Sequence, residues 1–286
     1  MSELPAEVAA KRDCLLELLR GFGNCAVAYS GGLDSTLLAK AAQLALGDRA
    51  VAVTGHSASL AVSELDEAKT LAGQIGIRHE IVETGEMSLP AYRANEADRC
   101  FHCKNELFLR IEELAKRLGI EVVADGSNRD DHGEHRPGLE AARQRNVRSP
   151  LAECGLTKPE IRQLAEFWGL PTWNKPAAPC LSSRIAYGEE VTDSRLDMIE
   201  RAEAFLRRQG FQPLRVRYHK GDLARIEVSP EQVDRLIETE FRREVIDHLK
   251  SLGFRYVSLD LEGFRSGSLN AVLPADVLVL RNATQE

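Results

Sequence analysis

The sequence predicts an α/β fold: a doubly wound parallel sheet over residues 1–188 and a smaller α+β domain over residues 189–286. Three observations point there. Short apolar runs alternate with helical periods as far as Asp125. One of them, Ala50-Val-Ala-Val-Thr54, is unbroken, as in strands covered on both faces. Beyond Gly188 the pattern becomes a helix, a charged hairpin, further helices and a last strand.

The elements follow in order. Residues 6–20 carry Leu15, Leu16, Leu18 and Leu19 at roughly helical spacing, ended by Gly21. The strand Cys25–Tyr29 runs into Ser30-Gly31-Gly32-Leu33-Asp34-Ser35, which opens a helix to about Leu46. After the strand at Ala50, Ser63–Ile75 is helical with Leu65, Ala68, Leu71, Ala72 and Ile75 on one side, and His79–Val82 is a short strand. Residues 83–99 are polar and irregular. A helix from near Cys103 to Leu118 and a strand Glu121–Asp125 come next. Thr157 and Glu160 form a capping-box pattern for a helix to about Trp168. Three prolines mark residues 170–184 as an ordered loop. In the second domain Thr192–Arg208 is a helix. Leu214, Val216 and Tyr218 alternate with Arg215 and Arg217, the period of a half-exposed strand. Lys220-Gly221-Asp222 turns the chain, and Ala224, Ile226 and Val228 alternate with Arg225 and Glu227. Helical segments over 230–239 and 241–252 and a strand Phe254–Leu259 complete it.

Composition narrows the function. Formal net charge is −7, from 37 Lys and Arg against 44 Asp and Glu, and neither half is a basic platform for nucleic acid. A small-molecule substrate fits better. No apolar run reaches membrane-spanning length, and the amphipathic N-terminus has no signal-peptide pattern, so a cytoplasmic enzyme without a membrane partner is expected. In that setting the six cysteines read as buried thiols, metal ligands or reactive groups. Cys14 and Cys25 sit among apolar residues and are expected in the core.

The stretch Ser30–Ser35 is a phosphate cradle by its physics. Two glycines let the backbone approach a ligand, Asp34 and Ser35 can cap the helix, and the helix start offers free N–H groups to an anion. The Gly-Lys-Ser/Thr ending of a Walker loop is missing. Ligands of doubly wound sheets lie beyond the strand carboxyl ends. Ala28 with the cradle, Gly55-His56-Ser57, and Asp125-Gly126-Ser127-Asn128 all fall there. Asp34 suits either a helix cap or Mg²⁺, and Asp125 and Asp130 suit either that ion or a strand-end turn. Lys175, in the long loop, can neutralise phosphate charge or stand solvated. Cys100-Phe-His-Cys103 places two sulfurs on one turn, and Cys180 comes from a loop beyond a parallel strand. Three thiolates are one short of a closed zinc or iron–sulfur site; a redox dithiol or plain core thiols are the other readings. Arg215, Arg217 and Arg225 share one side of the hairpin, where they can bind carboxylate or phosphate or simply pair with Glu227.

The cradle resembles the PP-loop of ATP pyrophosphatases, which form adenylates and release pyrophosphate. Together with Lys175-Pro-Ala-Ala-Pro-Cys-Leu-Ser-Ser-Arg184, Arg215-Val-Arg217 and Arg265-Ser-Gly-Ser-Leu-Asn270, it resembles the LarE family across nearly the whole chain. That resemblance implies an ATP-dependent sulfur transferase of nickel-pincer nucleotide biosynthesis. It would adenylate the carboxylates of pyridinium-3,5-biscarboxylic acid mononucleotide and displace AMP with sulfur. It implies ATP bound by Ala28, Ser30, Gly31, Gly32, Asp34, Ser35, His56, Ser57 and Gly126. It also implies catalytic roles for Cys180, Asp34 and Lys175, and a substrate held by Ser183, Arg184, Arg215 and Arg217, the two hairpin arginines on its phosphate. Cys100 and Cys103 beside Cys180 resemble the three-cysteine branch, which implies a 4Fe–4S cluster on three cysteines, Mg²⁺, a sulfide source and a homo-oligomer, a hexamer by resemblance. The alternative is a PP-loop tRNA thiolation enzyme, against which the near-neutral second domain speaks.

Overall fold

The computed structural model describes residues 4–131, 137–176, 178–265 and 268–269. The late Arg265–Asn270 motif therefore lies partly outside the described residues. Along the chain the first elements are α1 (Ala6–Gly21), β1 (Cys25–Ala28), α2 (Leu33–Leu46), β2 (Ala50–His56), α3 (Val62–Ile75) and β3 (Arg78–Glu83). Then come α4 (Pro90–Arg93), α5 (Arg99–Leu118), β4 (Val123–Ala124), α6 (Pro137–Gln144), α7 (Pro150–Glu153) and α8 (Lys158–Phe167). The last are α9 (Asp193–Arg208), β5 (Leu214–His219), β6 (Leu223–Val228), α10 (Val233–Ile237), α11 (Thr239–Ser251) and β7 (Tyr256–Leu259).

These elements divide between two compact units. One takes the chain up to Glu86 and from Cys100 to Ala178. The other takes Met87–Arg99 and the chain from Pro179.

In the first unit four parallel strands run in the order β3-β2-β1-β4. Side chains alternate across the sheet, so Cys25 and Val27 face one layer and Ala26 and Ala28 the other. The first layer buries Leu15 and Leu19 of α1, Leu37 and Leu38 of α2 and Leu164 of α8. The second buries Phe108 and Ile111 of α5 with Ala141 and Ala142 of α6. Helices thus cover both faces, which is why β1 and β2 read as continuous apolar runs. This is the α/β fold with a doubly wound parallel sheet that the sequence predicts. The capping box at Thr157 forms as well, with the Thr157 N–H donating to Glu160 at 2.9 Å.

Cys14 departs from expectation. It is exposed, because α1 buries the stripe of Val8, Leu15 and Leu19 and Cys14 lies beside it. Burial together with a hydrogen bond to Cys14 pushes the Cys154 thiol up to about 12.

The second unit packs α9 on a three-stranded sheet of order β5-β6-β7. β5 and β6 form the expected antiparallel hairpin, and β7 adds parallel to β6. Its charged face is not the half-exposed surface that the alternation predicts. Arg217 is 5% exposed and Glu227 is fully buried. The two pair at 2.9 Å, and the arginine also donates to the Ser183 carbonyl and Ser268 Oγ, both at 3.1 Å. Chain segments from outside the hairpin therefore cover that face, which a strand-by-strand reading cannot see.

Candidate active site

The cradle is built by the turn from β1 into α2. Gly31 sits at φ +70°, and a Cβ there would approach Ala68 of α3 at 3.2 Å. A side chain is thus excluded by backbone conformation and by packing. Ser30 N–H donates to Ser35 Oγ at 3.2 Å, and the two hydroxyls lie 3.1 Å apart. Ser35 Oγ donates back to the Gly32 carbonyl at 3.2 Å. These bonds hold the loop shut on itself with the first turn of α2 pointing outward.

The helix cap is Gly32, which has no side chain to bond the first turn, rather than Asp34 or Ser35. Those two occupy the second and third helical positions, so their side chains are turned to other partners. Asp34 forms an ion pair with Lys158, the first residue of α8, and accepts from Asn128 Nδ2 at 3.5 Å. A carboxylate beside the cradle is thereby neutralised from the neighbouring helix on the same face of the sheet.

The strand-end segment after β4 closes the other side. Asp125 is buried and accepts from Ser127 N–H at 3.1 Å, Ser127 Oγ at 2.8 Å and Ser149 Oγ at 2.8 Å. Gly126 lies directly on α2: a Cβ there would stand 2.8 Å from the Ser35 nitrogen. Asp130 turns its carboxylate to the Lys158 N–H at 2.7 Å, the start of α8.

A pocket of about 230 Å³ opens between these segments. It gathers Ala28, Ser30, Gly32, Asp34 and Ser35 from the expected set, with Asp125 and Gly126. It also brings in Lys104, Leu107 and Asp131, which sequence reasoning missed. Lys104 is the notable one. It follows Cys103 on α5, stands 5.6 Å from the Phe108 ring centroid, and puts a cation on the wall of a phosphate-shaped site. The available signal was its place next to Cys103. Among the described residues no three His, Cys, Asp or Glu side chains are gathered closely enough to hold a metal ion.

The other expected residues lie elsewhere. His56 pairs with Glu83 at 2.9 Å on the surface. Ser57 and Ser59 both donate to Glu86, which is 2% exposed and whose second oxygen has no hydrogen-bond partner among the described residues. Lys175 binds Glu64 at 3.0 Å and Glu67 at 2.8 Å on α3. Burial alone would lower its pKa, yet the two carboxylates raise it above the ordinary lysine value. Cys100 and Cys103 occupy the first turn of α5, three residues apart on one face, one exposed and one half-buried, with no disulfide. Cys180 is half-buried before a short turn in the second unit.

The second unit holds a concentrated positive cluster. Arg184 grips the fully buried Glu203 through two bonds of 3.0 and 3.2 Å. Arg217 grips Glu227 as described. Arg215 lies over the Phe264 ring at 5.2 Å. Burial pushes its guanidinium down to about 10, with Arg184, Arg217 and Arg207 adding repulsion against Glu203. An anion arriving beside Arg215 would relieve that strain.

A methyl group at Gly126 tests the cradle directly. Gly126→Ala should displace the Ser35 backbone, cost about 1–3 kcal/mol of stability by overpacking, and weaken ATP binding in isothermal calorimetry.

No protein-family model matches the chain. The chain is 37% identical to the pyridinium-3,5-bisthiocarboxylic acid mononucleotide synthase of Lactiplantibacillus plantarum, over 94% of this chain and 96% of the relative. The chain belongs to the LarE family. An uncharacterized protein of Synechocystis is 49% identical over 90% of this chain and 97% of its own. A glutamine-hydrolysing GMP synthase component of Pyrococcus horikoshii is 26% identical over 65% of this chain and 64% of its own length. LarE membership thus comes with the PP-loop ATP pyrophosphatase fold that the sheet displays. No described helix is long and apolar enough to cross a membrane.

Proposed function

We propose that this LarE-family enzyme converts pyridinium-3,5-biscarboxylic acid mononucleotide to the bisthiocarboxylic acid mononucleotide, using ATP and sulfur. The observation that carries the reading is the likeness, over nearly all of both chains, to the synthase of that product. The cradle supports the ATP half of the reaction.

A carboxylate oxygen of the substrate attacks the α-phosphorus of ATP, and pyrophosphate leaves. Backbone N–H groups of Leu33, Asp34 and Ser35, the first three of α2, receive the phosphates, since those of Ser30 and Gly32 are bonded within the loop. Lys104 neutralises charge on the same wall. Asp34 is held in place by Lys158 and Asn128. Asp34, Asp125 and Asp131 line the pocket without forming a three-carboxylate metal site; Mg²⁺ would come with the phosphates and take one or two of these hard oxygen donors, its charge offsetting that of the phosphates. Asp130, expected at the same ion, belongs to the proposal only through a change of partner. A sulfur nucleophile then attacks the acyl carbon and AMP departs, since thiolate or sulfide is strongly nucleophilic and AMP leaves readily. Arg215, with Ser183, is the proposed grip on the substrate's phosphate; Arg217 and Arg184, buried in pairs with Glu227 and Glu203, join it only through a change of partner.

Cys100 and Cys103 fit a metal-donor pair in their chemistry: two thiols three residues apart on α5, one exposed and one half-buried. With Cys180 they would hold a 4Fe–4S cluster, which when bound would carry an extra sulfide taken from an outside source, so that neither chain nor cluster is consumed. Anaerobic purification with iron, sulfide and zinc analysis tests this. About four irons per chain are expected from a 4Fe–4S site. Stoichiometric zinc without iron after reconstitution excludes it. Lys104→Ala should raise KM for ATP about tenfold through loss of a charged phosphate contact, measured by pyrophosphate release.

A further inference from the structure

Residues 83–99 read as an irregular polar stretch, yet the second unit claims 87–99 and buries Tyr92, Asn95 and Arg99 in one knot. Asn95 is fully buried at φ +57°, a conformation that asparagine tolerates better than most residues. Its Nδ2 lies 3.3, 2.8 and 3.0 Å from the carbonyls of Ile185, Ala186 and Glu189. Arg99 is 6% exposed and donates to Asn95 Oδ1 and, at 2.8 Å, to the Ser182 carbonyl. The Tyr92 hydroxyl meets Ser182 Oγ at 2.6 Å. Apart from the Arg99–Asn95 bond, these all reach the stretch from Ser182 to Glu189, which begins two residues after Cys180.

Burying a guanidinium is costly unless its donors are matched, so a matched one is strongly fixed. Arg99 is also the first residue of α5, the helix whose opening turn carries Cys100 and Cys103. Cys180 itself is held by its backbone: its carbonyl accepts from Ser183 N–H at 3.0 Å, Ser183 Oγ at 2.7 Å and Arg184 at 2.9 Å.

We propose that Arg99 is a positioning residue for the loop that follows Cys180: within the second unit it anchors the Ser182 carbonyl directly and, through Asn95, the backbone as far as Glu189. The inference rests on the three-cysteine reading given above. Arg99 touches neither nucleotide nor substrate in this role; it sets where the loop of the third cysteine sits.

Hydrogen exchange and metal retention test it together. In Arg99→Ala, amides from 180 to 191 should exchange about tenfold faster while those of β1 stay protected. The chelator concentration that strips half the iron should fall about tenfold. Arg99→Lys, which keeps a donor for the Ser182 carbonyl, should restore most of both. Tyr92→Phe deletes one hydroxyl, leaves the fold intact and should give a smaller shift in the same direction. Wild-type exchange over 180–191 in Arg99→Ala overturns the proposal, and so does faster exchange with unchanged iron retention. If Arg99→Ala does not fold, wild-type exchange in both milder variants overturns it. A wild-type chain that binds no iron defeats the cluster reading instead. Positioning is then read from alkylation of Cys180 by iodoacetamide, and an unchanged rate in Arg99→Ala counts against Arg99.

Discussion

Cys180→Ala should continue to release pyrophosphate from ATP in the presence of the carboxylate substrate and yet form almost no thiocarboxylate. The two halves of the reaction draw on different groups. Adenylation is assigned in the proposal to the cradle and Lys104, which line one pocket and which the substitution does not touch. Sulfur delivery is assigned to the cysteines. The loop itself should survive, because its local bonds at this position use the Cys180 carbonyl, which alanine retains. Removing a group on which a covalent step depends costs three orders of magnitude or more, roughly, in turnover. Pyrophosphate assay beside mass spectrometry of the product separates the two steps. Full multiple-turnover thiocarboxylate formation by the variant contradicts the sulfur path.

Arg184→Leu should destabilise the protein by about 3–5 kcal/mol, since it strands a buried carboxylate. Glu203 is fully buried and shares its charge between Arg184 and Arg207, while accepting from the Val216 N–H at 3.1 Å. With Arg184 gone, half of that compensation is lost inside the second unit. Replacing both partners, Arg184→Leu with Glu203→Leu, should recover much of the loss, because neither charge then remains buried. Urea denaturation of wild type, single and double variants measures it. A single variant within about 0.5 kcal/mol of wild type, the range of ordinary surface changes, contradicts the account of the pair.

What could be read from the sequence was what is local or periodic. Ser30–Ser35 announced a cradle because glycines, strand and helix lie side by side in the chain. Thr157 and Glu160 announced a capping box for the same reason. The apolar runs of β1 and β2 reported a sheet covered on both faces. What escaped the reading was set by distant partners. Lys158 neutralises Asp34 from 124 positions away. Lys104 reaches the cradle pocket only because α5 packs on the sheet beside β1. The hairpin alternation was correct in period and wrong in exposure, since Ser183 and Ser268 come from outside the hairpin to cover Arg217. Cys14 looked apolar by its neighbours but lies off the buried stripe of α1. Asn95 and Arg99 gave no signal at all, because their purpose is visible only in the carbonyls they hold.

Lys175 shows how far a motif carries. Its place in the loop suggested a phosphate partner, and the structure gives it two carboxylates of α3. A phosphate role would require it to exchange those partners when ATP arrives.

The measurement closest to the central claim is the mass of the product formed under anaerobic conditions from pyridinium-3,5-biscarboxylic acid mononucleotide, ATP, Mg²⁺ and sulfide. The account predicts a product in which each carboxylate has exchanged one oxygen for sulfur, with AMP and pyrophosphate released in step. Unchanged substrate under these conditions, with thiolation of unmodified tRNA in its place, would contradict it.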